Sequence, residues 1–349
     1  KESNLHVVSY SIPFEGTITL DELKNHIYTL PSQPTLIPYV TSYYDKKWGF
    51  CISHNQLQEL RDEEYFVSVD STLKPGSLSY GELVIPGKSK KEILFSTYIC
   101  HPSMANNELS GPVVTTFLAK SILDRSTQPN HTYRFLFVPE TIGSIAYISK
   151  NLKHLKEHIV AGYVVTCVGD LGSFSYLRTR NGETIADKAA LHVLKHSVKK
   201  YNVYNYLERG SDERQYNSPG VDLSVGSLMR TKHRSYPEYH TSGDDLEFVK
   251  PDALLESLRI YERLLEVFEI NDTYINTVLC EPKLDRYGLY PSTSIKNKSN
   301  WKRTIIDILA YCDGDHSLLD IAEIINQPLW EIYIYIAKFE KLGLVRRVT

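Results

Sequence analysis

Ile93-Leu94-Phe95-Ser96-Thr97-Tyr98-Ile99-Cys100 runs straight into His101-Pro102-Ser103-Met104-Ala105-Asn106-Asn107-Glu108-Leu109-Ser110-Gly111, and then into a helical stretch at Pro112–Leu123. The first segment is largely apolar on both alternating faces, as expected of a strand buried on both sides of a sheet. Ser110 or Gly111 can open the helix, with Pro112 in its first turn, where a missing N–H costs nothing. Tyr133–Val138 and Ile159–Val168 repeat the strand pattern. Helices are predicted at Ser144–Leu155, Thr184–Lys199 and Pro251–Phe268. Strands alternating with helices predict an α/β sheet covered on both faces.

Outward from this core the pattern changes. Residues 1–88 hold short segments rich in β-branched and aromatic residues, separated by Pro, Gly and Asp. These are Leu5–Tyr10, Thr17–Leu20, Tyr39–Ser42, Trp48–Ser53, Tyr65–Thr72 and Ser77–Ile85, with one helix at Asp21–Tyr28. A β-rich domain is expected there, followed by the core at 89–272 and a connector at 273–300 that includes the polar stretch Ser292–Asn300. Residues 301–349 show helices at Thr304–Cys312, Leu318–Ile325 and Leu329–Leu342, then a short strand within Gly343–Val348. That order is the plan of a winged helix.

Bulk properties narrow the partners. The chain has 349 residues and a net charge of -3, so no global basic field draws it to nucleic acid or anionic lipid. The winged-helix segment carries six Lys/Arg against seven Asp/Glu. A DNA reader presents a basic face, so docking or homo-oligomer formation is the favoured role. No apolar run reaches membrane-spanning length and no signal peptide is apparent, which predicts a cytoplasmic chain without a membrane partner. The five cysteines are scattered with no C-x-x-C, so neither a disulfide framework nor a cysteine-based zinc site follows. Cys100 and Cys167, at the ends of apolar runs, read as buried thiols.

Ligands of α/β sheets gather beyond the carboxyl ends of the strands. His101 follows the first core strand, Pro139-Glu140-Thr141 the second and Gly169-Asp170 the third. Further on come Gly210-Ser211-Asp212-Glu213-Arg214-Gln215-Tyr216 and Tyr239-His240-Thr241-Ser242-Gly243-Asp244-Asp245. A lone histidine after a strand is most often structural. Imidazoles and carboxylates gathered on one sheet edge are the ligands that hold Zn²⁺ and leave a position for water. Arg178, Arg180, Asp212, Glu213, Arg214 and Gln215 add charged and polar groups near the same edge. They can grip a substrate anion or brace one another internally.

This ordered set resembles the zinc-dependent aminopeptidase family of the bacterial leucyl aminopeptidases, with the glutaminyl cyclases as relatives. The resemblance rests on His101, Ser110-Gly111, Glu140, Ser211-Asp212, Pro219-Gly220-Val221 and Tyr239-His240-Thr241 with Asp244 or Asp245. More closely, Cys100-His101-Pro102-Ser103, Pro139-Glu140-Thr141-Ile142-Gly143-Ser144 and Gly210–Tyr216 look like a bacterial aminopeptidase-like group found among polysaccharide-biosynthesis genes. The resemblance implies a zinc-aminopeptidase-like mixed sheet flanked by helices, an inserted β-rich domain and a C-terminal winged helix. It also implies a site with Glu140 as base and His101, Asn107, Asp170 and His240 as metal ligands. Glu108, Arg180, Asp212, Glu213, Arg214 and Gln215 would line the substrate pocket.

The chain departs from the family where two zincs need carboxylates. Asn107 stands where the family has its bridging Asp, and the Glu-Glu pair is reduced to Glu140. One zinc, or none, is therefore expected in place of two. The expected function is a metal-dependent hydrolase that cuts an amide of a peptide or an acylated amino sugar. The alternative is an inactive relative that binds a small molecule or scaffolds partners, with polysaccharide biosynthesis as its setting.

Overall fold

The computed structural model describes residues 4–289 and 301–348. Its centre is a seven-stranded mixed sheet. The strands in chain order are β1 (Gly81–Ile85), β2 (Glu92–Tyr98), β3 (Thr132–Val138), β4 (Ile159–Val165), β5 (Phe174–Leu177), β6 (Tyr201–Tyr204) and β7 (Val225–Met229). Across the sheet they run β6-β5-β7-β4-β2-β3-β1. β2 is parallel to both β3 and β4, β4 to β7, and β5 to β6, while β1 and β5 are antiparallel to β3 and β7.

The alternation of side chains along β2 explains the layers. Ile93 and Phe95 enter one core with α1 (Ser110–Leu123), α3 (Ile185–Ser197) and α4 (Pro251–Ile270). Leu94 and Tyr98 enter the opposite core with Tyr147, Ile148 and Leu155 of α2 (Ile142–His158). The three strands expected from apolar runs are present, with β4 ending at Val165, short of the predicted Val168. β5, β6 and β7 were not expected.

The second core is crossed by a buried ion pair. Arg134 on β3 grips Glu92 through Nε (2.6 Å) and Nη2 (3.0 Å). Its Nη1 reaches Glu82 on β1 and the Tyr147 hydroxyl on α2.

The N-terminal region differs from its sequence reading in three ways. Its regular strands are two small ribbons, Phe14–Thr19 with Glu64–Val69 and Ile27–Tyr28 with Phe50–Cys51. Leu5–Tyr10 and Tyr39–Ser42 contribute only isolated bridges, at Val7, Ser9 and Thr41. The predicted helix at 21–28 ends at Lys24, because Ile27 and Tyr28 pair with Phe50 and Cys51 instead. Trp48 holds the region together, stacked between Phe14 (4.3 Å) and His26 (3.7 Å).

Strand pairing also divides the chain differently from the predicted boundaries. Gly81–Ile85 is the edge of the main sheet, not part of the β-rich region. Thr273–Asn276 pairs with Asp313–Ser317 and Val345–Arg347 in the winged helix, so it is not connector. The predicted connector stretch Ser292–Asn300 lies outside the described residues. The winged-helix helices are α5 (Trp301–Ala310), α6 (Leu318–Ile324) and α7 (Leu329–Lys341). Their apolar residues, Ile308, Leu319 and Ile332 among them, join the first core. Among the described residues no helix is long and apolar enough to cross a membrane.

Candidate active site

Because β2, β3 and β4 are parallel, their carboxyl ends lie on one edge, and His101, Glu140 and Cys167 follow them there. The Tyr236–Asp245 turn brings His240 to the same place, with the His101 and His240 rings 4.7 Å apart. His101 Nδ1 donates to one oxygen of Glu108. The Cys100 N–H donates to the other (2.6 Å). That leaves His101 Nε2 facing Glu140, 3.7 Å from Oε2. A carboxylate behind an imidazole fixes its tautomer and turns the free nitrogen outward, as in metal-ligating histidines.

Electrostatics differ between the two histidines. Burial lowers His101, but Glu108 and Glu140 outweigh it and raise its pKa overall. Burial, with the His101 charge beside it, pushes His240 down to about 3. His240 is therefore neutral, and its buried Nε2 finds no hydrogen-bond partner. Burial raises Glu140 against the opposing pull of His101 and Arg214.

The sequence reading missed Cys100 as a site residue. It is exposed, not a buried thiol. Cys100, His101 and Glu140 offer three possible ligand atoms within 4.8 Å of one another. Partial burial and the Glu108 carboxylate push the thiol up to about 11, so it stays protonated unless a cation drives the proton off. Adjacency to His101 was the clue available in the sequence. These donors are of the kind that hold a metal ion. A thiol, an imidazole and a carboxylate, with a second imidazole ring 4.7 Å from the first, are donor types suited to zinc.

The loop between His101 and α1 explains the role of Glu108. Ala105–Leu109 is a π-helical turn, and its extra residue shifts the chain. Glu108 thus turns back onto His101, behind the site, and does not line the pocket as expected. Asp244 holds this turn, accepting from the N–H groups of Asn106 (2.5 Å) and Asn107 (3.0 Å). Of the two candidates in the final motif, Asp244 is the buried one, and exposed Asp245 caps the next turn.

The other predicted ligands are engaged elsewhere. Asn107 Oδ1 accepts from the Tyr98 hydroxyl (3.2 Å), and its amide lies against Glu108 (3.4 Å). Asp170 spends both oxygens on Asn106, Gly172 and Thr231. Its carboxylate braces loops and does not join the His101 group.

The predicted pocket residues divide similarly. Arg180 pairs with Asp222 at a separate polar cavity of about 420 Å³. Glu213 accepts from the N–H groups of Gly210 and Ser211 and from the Ser227 hydroxyl, so it shapes its own loop. Gln215 is half-buried and bonds through its backbone to Asp212 and Ser218. Asp212 lies beside Glu140: Oδ1 accepts from the Thr141 N–H (2.7 Å) and Ser144 Oγ (3.0 Å). Burial pushes Asp212 up to about 7 despite those donors. Arg214 donates from Nη2 to Thr141 Oγ1 (2.7 Å).

Thr141, which follows Glu140, has φ 63° and ψ −67°. A β-branched residue in that region is strained. Asp212 holds its N–H and Arg214 its hydroxyl, so the site over-determines the turn.

The β-rich region reaches the site as well. Tyr39 meets both histidine rings edge-on, 4.9 Å from His101 and 5.3 Å from His240. Its N–H donates to the His240 carbonyl (2.8 Å). Ile37 exchanges two hydrogen bonds with Ser242, its N–H with Oγ (2.9 Å) and its carbonyl with the N–H (2.8 Å). Nothing in the local sequence around Tyr39 points to this contact, which spans some two hundred residues.

A second group, His192, His196 and Glu323, has its donor atoms within 4.8 Å at the seam between α3 and α6. His192 Nε2 accepts the Leu329 N–H at the start of α7 (2.9 Å), so its proton sits on Nδ1 and goes to Glu323 (2.5 Å). Both nitrogens are used, and a metal would have to break one of these bonds. The group reads as a staple between the domains. Glu323 is lowered from 4.5 to about 2, chiefly by the His192 hydrogen bond and, against some burial, by Lys195. A depressed carboxylate stabilises the fold above its unfolded pKa and loses that contribution as pH falls through the folded value. The wild-type melting temperature should exceed that of Glu323→Gln by no more than about 2 °C at neutral pH, as the pair is partly exposed. The gap should close between pH 4.5 and about 2, as read by melting curves across that range.

With this geometry in view, comparison with known proteins is informative. Residues 2–271 match the family described as a domain of unknown function, DUF4910, and residues 272–347 match a winged helix-turn-helix family. A Clostridium acetobutylicum protein is 46% identical over 326 residues, 92% of this chain and 74% of its own length. It is provisionally named a polysaccharide biosynthesis protein with an aminopeptidase-like domain. A crystal structure of a provisionally assigned peptidase from the same organism superposes with a TM-score of 0.93 at 43% identity, covering 100% of this chain and 79% of that one. A zinc aminopeptidase from Bacillus subtilis shares the fold at 15% identity and a TM-score of 0.52, over 71% of this chain and 68% of that one.

Proposed function

The chain belongs to the DUF4910 family, joined to a winged helix, and on that premise we propose that it is a single-metal hydrolase acting on an amide bond. One observation carries the reading: the ligand atoms of Cys100, His101 and Glu140 converge within 4.8 Å, and the His240 ring, with its unpartnered Nε2, lies 4.7 Å from that of His101. Cys100, His101 and His240 would hold one zinc, which leaves Glu140 free as the base. When bound, zinc polarises a carbonyl and lowers the pKa of water.

The protein's own groups do the rest. Glu108 keeps the proton of His101 on Nδ1, so Nε2 stays a ligand. Glu140, raised by burial, takes the proton from the attacking water and passes it to the leaving amine. Strained Thr141, tied to Asp212 and Arg214, holds Glu140 in place. Tyr39 covers the two imidazoles and excludes water from that side. The substrate is the amide of a peptide or of an acylated amino sugar, the latter suggested by the name of the Clostridium relative.

Glu140→Gln should keep its zinc and lose turnover by about 10²–10⁴-fold. The assay is zinc-loaded full chain on aminoacyl p-nitroanilides and N-acetylated amino sugars. If wild type cleaves none of them faster than Glu140→Gln does, the hydrolase reading fails. The second reading, a ligand-binding or scaffolding relative without catalysis, draws support from Asp170 and Asn107 being spent on loop structure. It would then be the one to pursue.

A further inference from the structure

Most arginines for which side-chain contacts are described meet a carboxylate: Arg134 with Glu92, Arg180 with Asp222, Arg230 with Glu256, Arg347 with Asp272. Arg214 is different. It is half-buried next to the reaction site, and among the described residues it forms no ion pair. Its one hydrogen bond through the guanidinium goes to Thr141, and its Nε is buried without a partner. The acids nearest in sequence are occupied, Glu213 by its own loop and Asp212 Oδ1 by Thr141 and Ser144. The Glu140 charge acts on Arg214 from a distance, but no carboxylate among the described residues pairs with its guanidinium, and such a cation is suited to a ligand that supplies the direct partner.

A second, independent observation lies against the same loop. His233 is 2% exposed, and neither ring nitrogen has a hydrogen-bond partner. It touches the loop at Gly210, where an added Cβ would stand 2.6 Å from its ring. Burial pushes it down to about 4 against the pull of Glu213, with Lys232, Arg234 and Arg214 pressing the same way as burial, so it is neutral and offers one N–H. Arg214 Nε and the His233 ring N–H are thus buried donors without acceptors at one loop.

We infer that Arg214 and His233 form a subsite for an anionic group of the substrate, a carboxylate or a phosphate, next to the amide that Glu140 attacks. The inference deepens the hydrolase reading, which fixes where the amide lies; the anion site itself stands on Arg214 and His233. It predicts acidic amino acid derivatives or phosphorylated amino sugars as preferred ligands over neutral ones. Arg214 suits the task because its planar fork matches two oxygens of either anion.

The test is direct binding, measured calorimetrically on metal-stripped full chain at low salt, with glutarate in one arm and inorganic phosphate in the other. Stripping the metal keeps zinc-bound anions out of the result and separates this site from the hydrolase assay. One arm should titrate to one site per chain, and Arg214→Gln should weaken it at least 10-fold. Arg214→Lys should recover part of the loss, and Arg303→Gln, distant on α5 and paired with Asp307, should change nothing. Melting curves for each variant verify that the fold persists. Tighter glutarate binding assigns a carboxylate, and tighter phosphate binding a phosphoryl group. If neither anion binds wild type, or both bind folded Arg214→Gln as tightly, the subsite does not exist, whatever the Glu140→Gln assay shows.

Discussion

His101→Ala is expected to lower zinc affinity by more than about 100-fold, because it removes a ligand outright, where loss of a supporting residue typically costs 10–100-fold. Wild type dialysed against dilute zinc should retain one ion per chain by elemental analysis, and His101→Ala close to none. His240→Ala should behave alike, since its neutral Nε2 has no other partner. Glu108→Gln should fall between, within the range for a supporting residue, because Glu108 positions His101 and the Cys100 backbone without being a ligand. Cobalt substitution distinguishes the ligand sets: a thiolate charge-transfer band in wild type that is absent from Cys100→Ser places Cys100 on the metal. Two ions per chain, or full zinc retention by His101→Ala, would overturn the single-metal assignment.

The largest stability effect is expected at Arg134, on the strand that ends at Glu140. Arg134→Met would leave Glu92, which is 4% exposed and otherwise bidentately paired, with only the His154 imidazole (2.8 Å). Leaving a buried carboxylate without its partner costs roughly 3–5 kcal/mol. The double variant Arg134→Met with Glu92→Leu should recover most of that loss, because the buried charge is gone and Glu82, a partly exposed carboxylate, keeps the Tyr147 hydroxyl. Urea midpoints read both comparisons, followed by a probe of the main sheet. Equal midpoints for wild type and Arg134→Met would mean that His154 holds Glu92 unaided.

The sheet and the site were legible to different degrees. β2, β3 and β4 are buried on both faces and announce themselves as apolar runs. β5 and β6 have four residues each, and only their pairing with distant neighbours makes them strands. His101, Glu140 and His240 stood out because each ends a strand or opens a turn with a group that turn chemistry does not need. Glu108 could not be placed, since a single extra residue in a π-helical turn decides whether it faces the pocket or the back of His101. Asp170 was misleading in the opposite way. It sits where a ligand would, but Gly172 and Thr231 offer it donors close by. Cys100 was read by its apolar neighbours, when the histidine beside it was the better guide.

The clasp between the β-rich region and the His240 turn sets a limit on what can be cut away. The seven-stranded sheet with its helices has a core of its own, and a fragment from Gly81 onward would keep every strand of it. Such a fragment would lose Tyr39 and Ile37, and with them the hydrogen bonds to the His240 carbonyl and to Ser242. His240, at φ 57°, would then be held only from its own side. The smallest piece that folds is thus expected to be smaller than the smallest piece that works, because Tyr39 itself packs against the cluster of Leu5 and Val8 near the start of the chain.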